Sequence, residues 1–107
     1  LKMEEIAKEV LNHLYQVNQK LEKANFTDIN RNMKRLENKM NQFGFYSDVP
    51  INERFDETRN DCTASIVGDN SDNLVITNVI KPILYKRKDD GTNVIIQSGV
   101  VIVESKK

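Results

Sequence analysis

The sequence predicts an α+β protein, an N-terminal helical hairpin followed by a small all-β domain. Two observations lead there. Apolar residues recur at helical spacing as far as Phe43, and no Gly precedes Gly44 and no Pro precedes Pro50. From residue 46 onward, β-branched runs are separated by clusters of turn-forming residues. A helix-period stretch followed by a strand-period stretch is the pattern of segregated helices and sheet. The expected units are residues 1–45, a helical dimerisation segment, and residues 46–107, a small β-domain.

In the first helix, Met3, Val10, Val17 and Ala24 repeat every seventh residue, with Ala7, Leu14 and Leu21 four places after each of the first three. Ile6 and Leu11 widen the stripe, as a helix with more than one neighbour requires. Glu4 and Glu5 open this segment and Lys20 and Lys23 close it, an order that suits the helix dipole. A helix over 3–24 follows. Asn25, Phe26, Thr27 and Asp28 break it, and their small polar side chains suit the N-cap of a second helix. There Ile29, Met33, Leu36, Met40 and Phe43 step by 4, 3, 4 and 3, an a/d seam. Gly44 then stands at the C′ position, where a left-handed backbone costs glycine least.

Two helices alone leave much of both stripes wet. A symmetric dimer forming a four-helix bundle, crossing at about 20°, would cover them. Its expected contacts are Leu14, Val17 and Leu21 on the first helix and Ile29, Met33, Leu36, Met40 and Phe43 on the second. The competing arrangement lays the chain's own β half over the same residues.

Residues 46–54, with Pro50, read as a connector. Strands are expected at Thr63–Val67, Leu74–Ile80, Ile83–Arg87 and Val94–Val103, the last with Gly99 as a bulge. Pro82 marks a bend or edge. The clusters 68–73 and 88–93 are turns, the second a hairpin through Asp90-Gly91. Four strands joined antiparallel form a small sheet or sandwich, with residues 104–107 fraying.

The chemistry expected is sparse. Sixteen Lys and Arg offset sixteen Asp and Glu, which opposes a phosphate-neutralising nucleic-acid binder and an anionic membrane surface as partner. No apolar run reaches the roughly 20 residues of a spanning helix. Leu1 in place of Met suggests a start inside a longer protein, and one cysteine suggests a reducing, cytoplasmic setting. His13 reads as a helix-surface residue and Cys62 as a small buried hydrophobe; neither has the companions of a metal site or a catalytic thiolate. Gly68 and Gly91 belong to turns, with no glycine-rich phosphate loop. The adjacent acids Asp56-Glu57 and Asp89-Asp90 point apart and suit turns better than acid–base pairs. Lys81, Lys86, Arg87 and Lys88 read as lysine-protected strand edges. No enzyme, cofactor or metal is expected, and binding another protein is.

Three stretches of the chain resemble the GrpE family, the nucleotide exchange factors of DnaK-type chaperones. LENKMNQFGFYSDV (36–49) is similar to the family's helix end running into Phe-Gly. INERFDETRNDCTASIV (51–67) is similar to its segment of Phe/Leu-Asp-Pro, then His, then Ala, with Phe55 and Asp56 matching. ITNVIKPILYKRKDDGTNVIIQSGVVIV (76–103) is similar to the closing hairpin, with Tyr85, Gly91, Ile96, Val101 and Val103 in place. Asn60 stands at the family's His, Leu84 at the Gly before Tyr85, Gln97 at an Arg, and Ser98-Gly99 at Pro-Ala. The long helix that precedes the bundle in the family has no counterpart in this sequence. The resemblance implies a homodimer whose β-domain binds the chaperone ATPase domain and promotes ADP release. By that analogy the partner contacts are Phe55, Asp56, Ile80, Lys81, Tyr85, Arg87 and Val101. The alternative is a coiled-coil interaction module whose β-domain has no exchange activity.

Overall fold

The computed structural model describes residues 3–24 and 29–106. Two helices come first, α1 (Met3–Lys23) and α2 (Asn30–Gln42). Six strands follow: β1 (Phe45–Asp48), β2 (Cys62–Val67), β3 (Leu74–Lys81), β4 (Ile83–Arg87), β5 (Asn93–Gln97) and β6 (Gly99–Ser105). The strands form two three-stranded sheets, ordered β1-β4-β5 and β2-β6-β3, so the fold is α+β.

Helix α1 starts with Glu4 and Glu5 and ends with Lys20 and Lys23, and it buries Ala7, Leu11 and Leu14. Helix α2 ends as its glycine dictates: Gly44 has φ +93° and its N–H donates to Asn41 O at 2.9 Å. The N-cap expected among residues 25–28 lies outside the described residues; at Ile29, the residue flanking α2, no side chain caps the helix.

One strand of the first sheet, β1, lies where no strand was expected. Phe45–Asp48, read as helix end and connector, pairs antiparallel with β4, Phe45 opposite Lys86 and Tyr46 opposite Tyr85. Four residues straight after a helix carry too little alternation to announce a strand. Ile83–Arg87 is a strand as expected, and the Asp90-Gly91 turn joins it to β5. Gly91 has φ +89°, and Lys88 N–H donates to Thr92 O at 2.7 Å to close the hairpin.

The expected strand over 94–103 divides at Ser98. Its first part ends one sheet and its second, β6, is the central strand of the other. The cause lies at Gly99, which is buried; a Cβ there would stand 2.9 Å from Cγ1 of Ile83 and 3.2 Å from Sγ of Cys62. Only glycine lets the chain pass this close as it crosses between sheets. Two further expectations are corrected. β2 pairs with β6 in parallel, Cys62 opposite Gly99 and Val67 opposite Glu104, not antiparallel. Residues 104–105 belong to β6, and the Lys106 N–H donates to Asn73 O at 3.0 Å.

Two cores result. One joins Ala7, Leu11, Leu14 and Met40 of the helices to Phe45 and Leu84 of the first sheet, with Val10, Met33 and Ile96 against it. The other joins Leu74, Ile76, Val79, Val101 and Val103. The β half therefore does cover part of the helical seam: of the expected dimer contacts, Met40 is buried inside the protomer, and Leu14, also buried, keeps only an edge on the groove left between the helices. The helical unit and the sheet share a core, and the boundary drawn at 45/46 cuts β1. Val101, expected at a partner surface, instead has no exposed area, because its face of β6 points into the second core.

Candidate functional site

Part of the helical seam stays uncovered. Val10, Leu14 and Val17 of α1 and Met33 and Leu36 of α2 line an almost wholly apolar groove, with Glu9 and His13 at its rim. Val17, Ile29, Leu36 and Phe43 are 39%, 41%, 44% and 57% exposed, and Leu21 is half-buried. An a/d seam has two sides, and the sheet took only one. Asn18 Nδ2 donates to Glu37 Oε1 at 3.4 Å across the two helices. His13 Nε2 lies 3.4 Å from Glu9 Oε2 on the exposed surface of α1, as the sequence suggested.

The outer face of the first sheet carries a second surface. Tyr46 and Tyr85, opposite each other on β1 and β4, stack with centroids 5.1 Å apart and planes 18° apart. Cross-strand aromatic pairs of this kind hold a register and present a rigid face. The Arg87 guanidinium sits 5.5 Å from the Tyr46 ring centroid, and its NH2 nitrogen donates to Asn41 Oδ1 at 2.8 Å. Ile95, opposite Tyr85 on β5, is 41% exposed. Burial, then the charges of Asp61 and Asp48, push the Tyr85 hydroxyl above its ordinary pKa, so it stays a donor.

Below Tyr85 the connector is held by one guanidinium. Arg59 Nε donates to Asp61 Oδ1 at 2.6 Å, one NH nitrogen to Glu53 Oε1 at 2.9 Å, and the other to Arg54 O at 3.1 Å. Burial alone would raise the Asp61 carboxyl, but the Arg59 bond and charge outweigh it and hold it low. Asp48, nearby without such a bond, is raised by burial and then by Glu53. The Cys62 thiol is pushed up to about 11, by burial first and Asp61 second, so it is an unreactive thiol.

The expected partner residues fall in three places. Tyr85 and Arg87 share the tyrosine face. Phe55 is half-buried against the second core, and its N–H donates to Leu74 O at the start of β3. Asp56 beside it is fully exposed; Thr58 donates to its carboxylate from both Oγ1 and N–H, which holds it below the usual carboxylate range. Ile80 and Lys81 are exposed at the other end of β3, about 20 Å from Phe55 at roughly 3.3 Å per residue. Sequence reasoning passed over Tyr46, Asn41, Arg59 and Ile95. Tyr46 lay in the supposed connector, and the Arg59 partners follow no period. Among the described residues no group of His, Cys, Asp and Glu could hold a metal ion, and no helix is long and apolar enough to cross a membrane. No family model, curated protein or solved structure matches the chain.

Proposed function

We propose that the chain is a cytoplasmic, GrpE-like co-chaperone that dimerises through the uncovered α1–α2 groove and promotes ADP release from a DnaK-type ATPase domain. The observation that carries this reading is the half-covered helical seam, which calls for a second copy while leaving the strand faces free. The order of a helix pair before a small β module, which the family resemblance implies, supports it. A twin docked on Val17, Ile29, Leu36 and Phe43 would complete the four-helix bundle. The Tyr46–Tyr85 stack with Arg87 offers a rigid aromatic surface with a charged edge, the composition of a protein-binding centre.

Such a factor changes no covalent bond. It binds the open ATPase conformation more tightly than the closed one, and the nucleotide therefore binds the complex more weakly by the same factor. Equal affinity for both states would release nothing, however tight the complex. Lys81 and Arg87 would set the association rate more than the affinity.

The test is release of fluorescent ADP from a DnaK-type ATPase domain, with and without the protein. Acceleration that saturates with dimer concentration is expected, and Tyr85→Ala should reduce it about tenfold or more, as loss of an aromatic anchor does. No acceleration at saturating dimer would leave the plain interaction module as the reading. One observation favours that module: Leu84 and Gln97, where the family has Gly and Arg, are turned inward to hold the sheet on α1.

A further inference from the structure

β2 is the outer strand of its sheet, and among the described residues no other backbone pairs with its outer side. Gly99 N–H donates to Asp61 O at 2.9 Å, and the parallel register continues from Cys62–Gly99 to Val67–Glu104. Alternate residues of a parallel strand turn both backbone groups to the same side. Asp61, Thr63 and Ser65 therefore face β6, while Cys62, Ala64 and Ile66 turn their N–H and C=O groups outward. Natural edges are blunted by lysine, proline, bulges or a covering segment. Cys62–Val67 contains no charged residue, Pro or Gly, and its pairing with β6 has no register shift.

The other edges are defended. β3 has two register shifts, and the connector covers its outer side: Asn52 N–H donates to Ile76 O at 2.8 Å and Ile76 N–H to Glu53 O at 2.9 Å. β1 has four residues and ends at Asp48, just before Val49-Pro50. β5 has five, with a register shift against β4.

A groove meets this open edge at Ile66, which is 50% exposed. Phe55, Ile66 and Leu74 give it apolar surface, and among the described residues Asp56, Glu57 and Asp72 line it against one cation, Arg54. From the open strand and this acidic, partly apolar groove we infer that β2 binds an extended basic segment of a partner protein by strand addition. One apolar side chain of the segment seats against Ile66 and Phe55, and its lysine or arginine faces Asp56, Glu57 and Asp72. Main-chain bonds supply affinity in this mode and the groove supplies specificity. A second copy fits less well. Its β2 brings no cation to face Asp56, Glu57 and Asp72. Strand addition rests on β2, Glu57 and Asp72 and the proposed exchange surface on Tyr46, Tyr85 and Arg87; Phe55 and Asp56 alone are common to the two sets, so variants outside that pair let either reading fail while the other stands.

The probe is a fluorescein-labelled peptide of alternating valine and threonine with a lysine at each end, titrated with the full chain and read by fluorescence anisotropy. A saturable rise is expected. N-methylating the peptide at one alternating set of residues should abolish it, and methylating the other set should not. Ala64→Pro removes only an outward N–H and should weaken binding about tenfold, one hydrogen bond's worth or more. The pair Glu57→Lys and Asp72→Lys, on exposed turns, should do the same. The peptide with glutamate in place of lysine should not bind. No saturable rise overturns the proposal, as does binding indifferent to both methylation and charge reversal. Sedimentation as a dimer that Ala64→Pro splits would give the edge to a second copy and also overturn it.

Discussion

Asp48 and Asp61 lie on either side of Arg59's reach, and their environments push them in opposite directions. Asp61 is held low because the Arg59 bond outweighs burial. A carboxyl whose folded pKa is depressed lends stability above its unfolded value and loses it as pH falls through the folded one. Asp61→Asn should therefore melt lower at neutral pH, by about 1 kcal/mol for a partly screened charged hydrogen bond. It should converge with the parent in acid below the usual carboxylate range. For Asp48 the sign reverses. Its folded pKa is raised, so its ionised form costs stability at neutral pH and that cost vanishes as pH falls to the unfolded value. Asp48→Asn should melt higher at neutral pH, by less than about 1 kcal/mol at a half-buried site, and lose the advantage in acid. Thermal melts of the three proteins across pH check both signs at once. Parallel curves at every pH would refute both assignments.

Between elements, the joint of α1 to the first sheet has one polar clamp. Asn12 and Gln97 exchange two hydrogen bonds of 2.9 Å, and Gln97 Nε2 also donates to Pro82 O at 3.0 Å. The two residues are 85 positions apart in sequence. Both are half-buried, so removing one leaves the other's amide short of partners. Gln97→Leu and Asn12→Leu should each cost about 1–2 kcal/mol, and the double variant less than their sum. Chemical denaturation of the four proteins gives the coupling. A coupling near zero would mean that solvent replaces the clamp. Leu84 works beside it as the apolar half of the joint: fully buried among Ala7, Leu11 and Phe45, it makes sense of a bulky residue before Tyr85.

For the whole molecule, the radius of gyration is 15.2 Å and the extents are 42 × 38 × 19 Å. A compact chain of this length would have a radius of about 13 Å. A thin body has two broad faces and little interior, which is why the core divides in two and the groove between α1 and α2 stays bare. Leu36 lies on that groove, 44% exposed, and takes no part in either buried core. Leu36→Lys should leave the circular dichroism and melting of the protomer unchanged within about 0.5 kcal/mol, as surface changes do. It should also convert a dimer to a 12.4 kDa species in sedimentation equilibrium. A parent chain that already sediments at that mass at micromolar concentration would remove the four-helix bundle.

How much was legible follows from the range of each signal. The seven-residue spacing of Met3, Val10 and Val17, the 4-3-4-3 steps from Ile29 to Phe43 ahead of Gly44, and the Asp90-Gly91 pair are local facts, and the two helices and the hairpin follow from them. Ile83–Arg87 was readable for the same reason, since the apolar and aromatic run Ile83-Leu84-Tyr85 between Pro82 and a turn leaves little choice. The break at Ser98–Gly99 was not, because Gln97-Ser98-Gly99 between two β-branched runs suits a bulge within one strand as well as a crossing between two sheets, and only Ile83 and Cys62, far along the chain, forbid a side chain at 99. Likewise the a/d seam says that α2 needs cover but not which side the sheet will take. The sequence by itself determined the helices, the turns, most of the strands and the excess of apolar helix surface. Tertiary structure alone decided that β6 lies between β2 and β3, that Leu14, Met40 and Val101 are interior, that Tyr46 meets Tyr85, and that the edge of β2 is open. The physical reason is that spacing fixes what one segment wants to bury, whereas pairing and burial are settled by competition among segments distant in the chain.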